Sequence, residues 1–120
     1  MKIAITTSGR DLDAPMDPRF GRAGAFVLVD TDGDICEIVD NAQNLSAPQG
    51  AGIQAAKTVI DRGAEALVTG NCGPKAYRAL AAGGVKVFLC DGGTVRQALA
   101  KFKAGDLSAA DGANVEGHWA

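Results

Sequence analysis

The chain has 120 residues, of which 47% are hydrophobic and 22% are charged, and its formal net charge is −2. This composition is typical of a globular domain, so we expect one domain over residues 1–120 with a polar tail from about residue 106. The acidic balance disfavours nucleic-acid binding. The sequence shows neither a signal peptide nor an apolar run of the roughly 20 residues that span a bilayer, which predicts a cytoplasmic protein without a membrane partner.

The first half of the chain predicts three strands. Alternating apolar residues over Lys2–Thr7 indicate the first strand. Two further apolar runs, Ala25–Asp30 and Ile35–Asp40, flank a tight turn at Asp32–Gly33 and indicate a hairpin. The run D-T-D-G-D at this turn is not a calcium loop, because its glycine is at the fourth place rather than the sixth and Asn41 stands where the bidentate Glu should be.

The polar loop between the first two strands is long enough to indicate a function, and we expect it to form a semi-mobile flap. Arg19 and Arg22 flank Phe20 in this loop. Two guanidinium groups beside an aromatic ring suit an anion with a polarisable face. Alternatively, the Phe20 ring packs against the end of the sheet, and the arginines form ion pairs with aspartates of the same loop. Both interpretations are open at this point.

The second half of the chain predicts strands alternating with helices. The predicted bounds, in chain order, are a helix that ends at Gly63, a strand over Ala66–Val68, a helix from Pro74 to Gly83–Gly84, a strand over Val85–Cys90 and a third helix after the capping box Thr94–Gln97. Gly50–Ala55 matches a dinucleotide-binding fingerprint, but a loop precedes it and Gly70 stands where the acidic residue is expected. Helix packing is the simpler explanation of its small residues.

The turn at Gly70–Pro74 is the central candidate site. Gly70 and Gly73 allow close approach of the backbone to a ligand, and Pro74 suits the first turn of a helix. Free N–H groups at that helix N-terminus, together with the helix dipole, favour an anion. We include Asn71 and Lys75 of the same stretch among the candidate binding residues. The alternative is an ordinary connection between a strand and a helix.

Cys72 is the candidate metal ligand. Its position at a helix N-terminus predicts a lowered thiol pKa and an available thiolate, whereas Cys36 and Cys90 are typical of small packing residues. The alternative is that Cys72 also fills space. The three cysteines form no C-x-x-C pair, so neither a disulfide framework nor a closed structural zinc site is indicated. Near the C-terminus, His118 and its neighbour Trp119 form either a frayed end or a lid that brings an imidazole to the site.

The order of predicted elements indicates an α/β fold, with a five-stranded mixed sheet and three helices. The middle strand of the hairpin should run antiparallel to the other strands. Ligands of such sheets bind beyond the carboxyl ends of the parallel strands. That edge should bring together the loop with Arg19 and Arg22, the turn with Cys72 and the turn at Cys90–Gly93.

Four sequence segments form a recognisable signature. They are D-P-R-F-G-R-A-G-A-F-V-L-V-D at Asp17–Asp30, G-A-G-I-Q-A-A at Gly50–Ala56, G-N-C-G-P-K-A at Gly70–Ala76 and T-V-R-Q-A-L at Thr94–Leu99. Together they resemble the dinitrogenase iron-molybdenum cofactor biosynthesis family, in particular its small single-domain members of the orange-protein type. The resemblance implies a ribonuclease-H-like sheet and a non-enzymatic role. The implied ligand is an anionic metal–sulfur cluster, either a molybdenum–copper sulfide cluster or a related iron–molybdenum–sulfur cluster.

The resemblance also implies protein partners from a cluster-assembly or ATPase-containing complex. With one His and no Cys pair, the chain is not expected to ligate a cluster entirely through covalent bonds. A nuclease is disfavoured because its metals need clustered carboxylates that begin on the first strand, and Lys2–Thr7 has none. A nucleophile–base pair of Cys72 and His118 lacks an orienting partner. The remaining alternative is a regulatory or adaptor domain that binds a protein partner or a simple oxyanion at the same edge.

Overall fold

A mixed sheet with helices on both faces forms the centre of the molecule. The computed structural model describes residues 1–32, 35–41 and 51–110, and within them it has six strands and three helices. Their bounds are β1 Lys2–Thr7, β2 Ala25–Asp30, β3 Ile35–Asp40, α1 Ala51–Asp61, β4 Ala66–Thr69, α2 Pro74–Ala82, β5 Lys86–Leu89, α3 Val95–Ala104 and β6 Ser108–Ala109. Each helix of the described residues is too short or too polar to cross a membrane.

The strand order in the sheet is β3-β2-β1-β4-β5-β6. Strands β1, β4 and β5 run parallel, and β2 is antiparallel to both of its neighbours, as predicted for the middle of the hairpin. The predicted number of five strands is wrong, because β6 pairs antiparallel with β5 through Ser108 and Ala109. A two-residue strand shows no periodicity, so it was hidden in the segment predicted as a polar tail. The ribonuclease-H-like classification stays a prediction.

Side-chain alternation along the strands divides the core into two layers. Ala4, Leu28 and Leu67 face α1 and α2, whose buried residues include Val59 and Leu80. The residues between them on the strands point to the opposite face, where they pack against α3. Burying a large aliphatic side chain contributes about 1.5–3 kcal/mol, so both layers stabilise the sheet and fix the direction of its edges.

The ends of α2 and α3 follow the predicted signals. Helix α2 begins at Pro74 after the extended residue Gly73, which provides no side-chain cap. Helix α3 has the predicted capping box, in which Thr94 accepts from the backbone N–H of Gln97 and the Gln97 side chain accepts from the N–H of Thr94. It ends at Gly105, whose φ of 77° is readily adopted by glycine. Helix α2 follows β4 and helix α3 follows β5, so the N-termini of both helices lie on the side of the sheet where these parallel strands end.

Candidate functional site: the carboxyl edge of the sheet

The loop between β1 and β2 lies across the carboxyl ends of β1 and β4. The backbone N–H of Asp17 donates to the carbonyl oxygen of Thr6 at 3.0 Å, and the N–H of Phe20 donates to the carbonyl of Asn71 at 3.3 Å. Arg19 and Asn71 form a parallel β-bridge. The two chain segments that the sequence predicted to meet at this edge are therefore in direct contact.

The same loop is also joined to the N-terminus of α3. The N–H of Met16 donates to the carbonyl of Gly93 at 2.8 Å, and the N–H of Val95 donates to the carbonyl of Ala14 at 2.9 Å. These bonds attach the loop at several points, which does not fit the semi-mobile flap predicted from its length. They also use donors at the start of α3 within the protein, so that helix end offers fewer N–H groups to an anion.

Gly70 is a glycine because Pro18 packs over it. A Cβ atom at position 70 would lie 2.8 Å from Pro18 Cα and 2.9 Å from the Pro18 carbonyl oxygen, which is too close for a side chain. Asn71 Nδ2 donates to the same carbonyl at 3.2 Å. The close approach predicted at Gly70 is therefore made by this chain's own loop rather than by a ligand.

The cationic side chains of the edge differ in exposure. The Arg19 side chain is 50% exposed, and its Nε lies 3.4 Å from Oδ1 of the buried Asp17 carboxylate. Arg22 and Asn71 are half-buried, and Lys75 is exposed at the start of α2. The pairing of Arg19 with a loop aspartate agrees with the second interpretation of the sequence, yet half of the guanidinium side chain still reaches solvent.

Phe20 does not present its ring at the surface. The side chain has 0% exposure, and its ring centroid lies 5.6 Å from that of Phe26 in the core layer beneath α1 and α2. The expectation that this ring contacts a ligand is corrected, because the aromatic ring gains more from burial against apolar neighbours than from exposure at the edge. Phe20 instead anchors the loop that carries Arg19 and Arg22.

Cys72 also differs from its predicted role. The residue is 1% exposed, and its Sγ lies 3.7 Å from the carbonyl oxygen of Gly73. Burial raises the pKa of the Cys72 thiol from its ordinary 9.0 to about 12, the opposite of the lowering expected at a helix N-terminus. A helix dipole contributes about 0.3–1 kcal/mol and each pKa unit corresponds to about 1.36 kcal/mol, so desolvation dominates. The structure therefore shows a buried, protonated thiol in place of the available thiolate that was expected, and the role of Cys72 as a metal ligand stays a prediction.

The described residues contain no group of three or more His, Cys, Asp or Glu side chains that could hold a metal ion. His118 and Trp119 lie outside the described residues, as does the side chain of Cys36. Cys90 is 5% exposed, with its Sγ 3.5 Å from the Gly92 carbonyl. The donors placed at the edge are therefore suited to holding an anion by charge and hydrogen bonds.

A cavity of about 440 Å³ lies on another part of the molecule, between α2 and the strands β5 and β6. Its lining residues are Tyr77, Ala81, Gly84, Val85, Lys86, Val87, Ala109 and Ala110. Among these described residues there is none that the sequence predicted to bind a ligand. We therefore do not assign the predicted ligand to this cavity.

The family model for the dinitrogenase iron-molybdenum cofactor matches residues 1–105. The chain belongs to this family. Among solved structures of similar proteins, the apo form of the orange protein from Desulfovibrio gigas is 45% identical, with a TM-score of 0.91 and coverage of 95% of this chain and 96% of that chain. A candidate NifB protein from Thermotoga is 35% identical, with a TM-score of 0.78 and coverage of 90% and 91%.

A relative from Methanocaldococcus jannaschii, described as uncharacterised, is 29% identical over 110 residues and covers 89% of each chain. These matches span most of the length of each protein. The family resemblance found in the sequence is thus confirmed.

Sequence reasoning overlooked the buried polar group beneath the edge. The Thr6 hydroxyl donates to the Asp17 carbonyl at 2.6 Å and lies 3.0 Å from the Thr69 hydroxyl. Asp17 Oδ1 accepts from the N–H of Arg19 at 2.9 Å. The only sequence signal was Asp-Pro-Arg, since aspartate often bonds to the backbone N–H two residues later. Burial of the carboxylate depends on distant parts of the chain and has no local signal.

Proposed function

We propose that this protein binds or carries an anionic, molybdenum-containing metal–sulfur cluster and catalyses no reaction on it. The cluster is cargo, either a molybdenum–copper sulfide cluster or an iron–molybdenum–sulfur cluster. Membership of the dinitrogenase iron-molybdenum cofactor family and 45% identity to the orange protein of Desulfovibrio gigas support this proposal. A carrier needs a donor or acceptor of its cargo, and we infer a protein of a cluster-assembly or ATPase-containing complex in that role.

The contact between the edge loop and the turn after β4 is the main structural support. The bridge between Arg19 and Asn71 places a half-exposed arginine beside the start of α2, where Lys75 is exposed. A helix N-terminus carries an effective charge of about +0.5, which adds to the side-chain charges. Guanidinium and amide N–H groups then donate hydrogen bonds to the sulfur and oxygen atoms of the anion.

The donor set favours a cluster held without bonds from the protein to the metal. The Cys72 thiol is buried and protonated at neutral pH. Protonated arginine and lysine side chains donate hydrogen bonds and do not ligate metals, and the asparagine side-chain oxygen suits hard cations rather than the soft metals of a sulfide cluster. We propose that Arg19, Arg22, Asn71 and Lys75 hold the anion by charge and hydrogen bonding, and His118 stays a predicted additional contact.

Reconstitution distinguishes this function from that of a regulator that binds a simple oxyanion at the same cationic edge. Apo-protein is mixed with tetrathiomolybdate and copper, or with iron, sulfide and molybdate, and is then desalted. We expect a protein-bound charge-transfer absorption and co-eluting molybdenum. Binding of phosphate or molybdate by calorimetry, without any cluster retained after desalting, would instead favour the regulator.

A further inference from the structure

A buried carboxylate lies directly beneath the proposed anion site. The Asp17 side chain is 6% exposed, although burying a carboxylate is costly and its negative charge repels an anionic ligand. Within the described contacts, its Oδ1 accepts from both the backbone N–H and the Nε of Arg19, at 2.9 Å and 3.4 Å. The position of this charge therefore requires a reason other than attraction of the ligand.

The backbone of Asp17 is fixed to the sheet on both sides. Its N–H donates to the Thr6 carbonyl at 3.0 Å, and its carbonyl accepts from the Thr6 hydroxyl at 2.6 Å. The Thr6 hydroxyl in turn lies 3.0 Å from that of Thr69 in the neighbouring strand β4. The carboxylate is consequently a rigid acceptor whose position is set by two central strands.

Contact through Nε leaves the rest of the guanidinium available. Arginine has five N–H donors, and the Asp17 carboxylate is within reach of the one on Nε. The four donors on the two terminal nitrogens belong to a side chain that is 50% exposed. Holding the guanidinium plane in one orientation reduces the rotamer entropy lost when an anion binds.

We propose that Asp17 is a positioning residue for cluster binding, which orients the Arg19 guanidinium so that its terminal N–H groups face the anion. This inference rests on the proposed function. For this role, the binding free energy gained from a preoriented arginine must exceed the binding free energy lost through repulsion between the Asp17 carboxylate and the cluster. Replacement of Asp17 by Asn therefore weakens binding, even though it makes the site more positive by one charge.

The test compares Asp17→Asn with Asp11→Asn. Both carboxylates accept from a backbone N–H two residues later, at 2.9 Å in each case, and the Oδ1 of asparagine can keep that bond. At position 17, asparagine replaces the charge-assisted contact with Arg19 Nε by a weaker one, in which the acceptor is neutral. We expect cluster dissociation constants about tenfold higher for Asp17→Asn, the size of one moderate charge-assisted hydrogen bond, and unchanged or slightly lower for Asp11→Asn. Equal or tighter binding by Asp17→Asn would overturn the positioning role, while failure of wild type to retain cluster would overturn the proposed function.

Two further measurements separate positioning from general stability. Arg19→Lys keeps the charge but lacks Nε, so we expect it to weaken cluster binding about as much as Asp17→Asn does. Adding Asp17→Asn to Arg19→Lys should then weaken binding no further. Additive losses would contradict the inference. In apo-protein, the Arg19 Nε–H signal in ¹⁵N NMR should exchange with water more slowly in wild type than in Asp17→Asn. Equal exchange would show that Asp17 does not hold the guanidinium, whether or not the cluster binds.

Discussion

At the scale of single residues, Cys72 shows burial outweighing the electrostatics of a helix end. The sequence places it two positions before Pro74, where a thiolate would be favoured, but the side chain turns into the core and is 1% exposed. Its pKa rises to about 12 for that reason. The local sequence signal at the helix N-terminus therefore predicted the wrong protonation state of Cys72.

The raised pKa of Cys72 predicts a loss of stability at alkaline pH. As the pH rises above 9, the unfolded chain releases the thiol proton while the folded protein retains it until about 12. The free energy of unfolding should therefore fall with pH in this window, by up to about 1.36 kcal/mol per pH unit from this group. Urea unfolding of wild type and Cys72→Ala at pH 8 to 11 measures the effect. Parallel pH profiles of the two proteins would contradict it.

At the scale of elements, the attachment of the edge loop explains the need for glycine at position 70. We expect Gly70→Ala to destabilise the protein by about 1–3 kcal/mol, because the new Cβ would push against the Pro18 backbone. Gly24→Ala is the control, since its Cβ would meet atoms no closer than 3.6 Å. Denaturant unfolding compares the two. Equal stability of both variants would show that Pro18 is readily displaced.

The elements themselves were largely predictable, because their signals are local. The apolar runs gave the bounds of β1, β2 and β3, and the capping box located the start of α3. Strand β6 was missed, since Ser108 and Ala109 form a strand only through pairing with β5. For the site, chain order sufficed to predict that the loop with Arg19 and Arg22 and the turn with Cys72 lie at one edge, whereas the bridge between Arg19 and Asn71 was not predicted. The burial of Phe20, Cys72 and Asp17 depends on packing between distant segments, which a single sequence does not display.

At the scale of the whole molecule, the sheet brings separate cationic groups to one edge of a chain whose net charge is −2. A local positive region on an acidic protein can attract a small anion while the remaining surface repels other polyanions. The likeness to the apo orange protein from Desulfovibrio gigas extends over 95% of this chain. We propose that this edge, rather than the charge of the molecule in general, retains the cluster.

The most direct test is the molybdenum-to-protein ratio after reconstitution and desalting. Arg19→Gln/Arg22→Gln is compared with Lys86→Gln/Lys103→Gln, a double variant with the same charge change at exposed lysines near the opposite edge. We expect the molybdenum-to-protein ratio to fall in the arginine variant, in line with a cluster affinity about tenfold or more below that of wild type. The ratio of the lysine variant should stay near wild type, and the melting temperatures of the two variants should be similar. Equal retention of molybdenum by the two variants would contradict binding at the carboxyl edge.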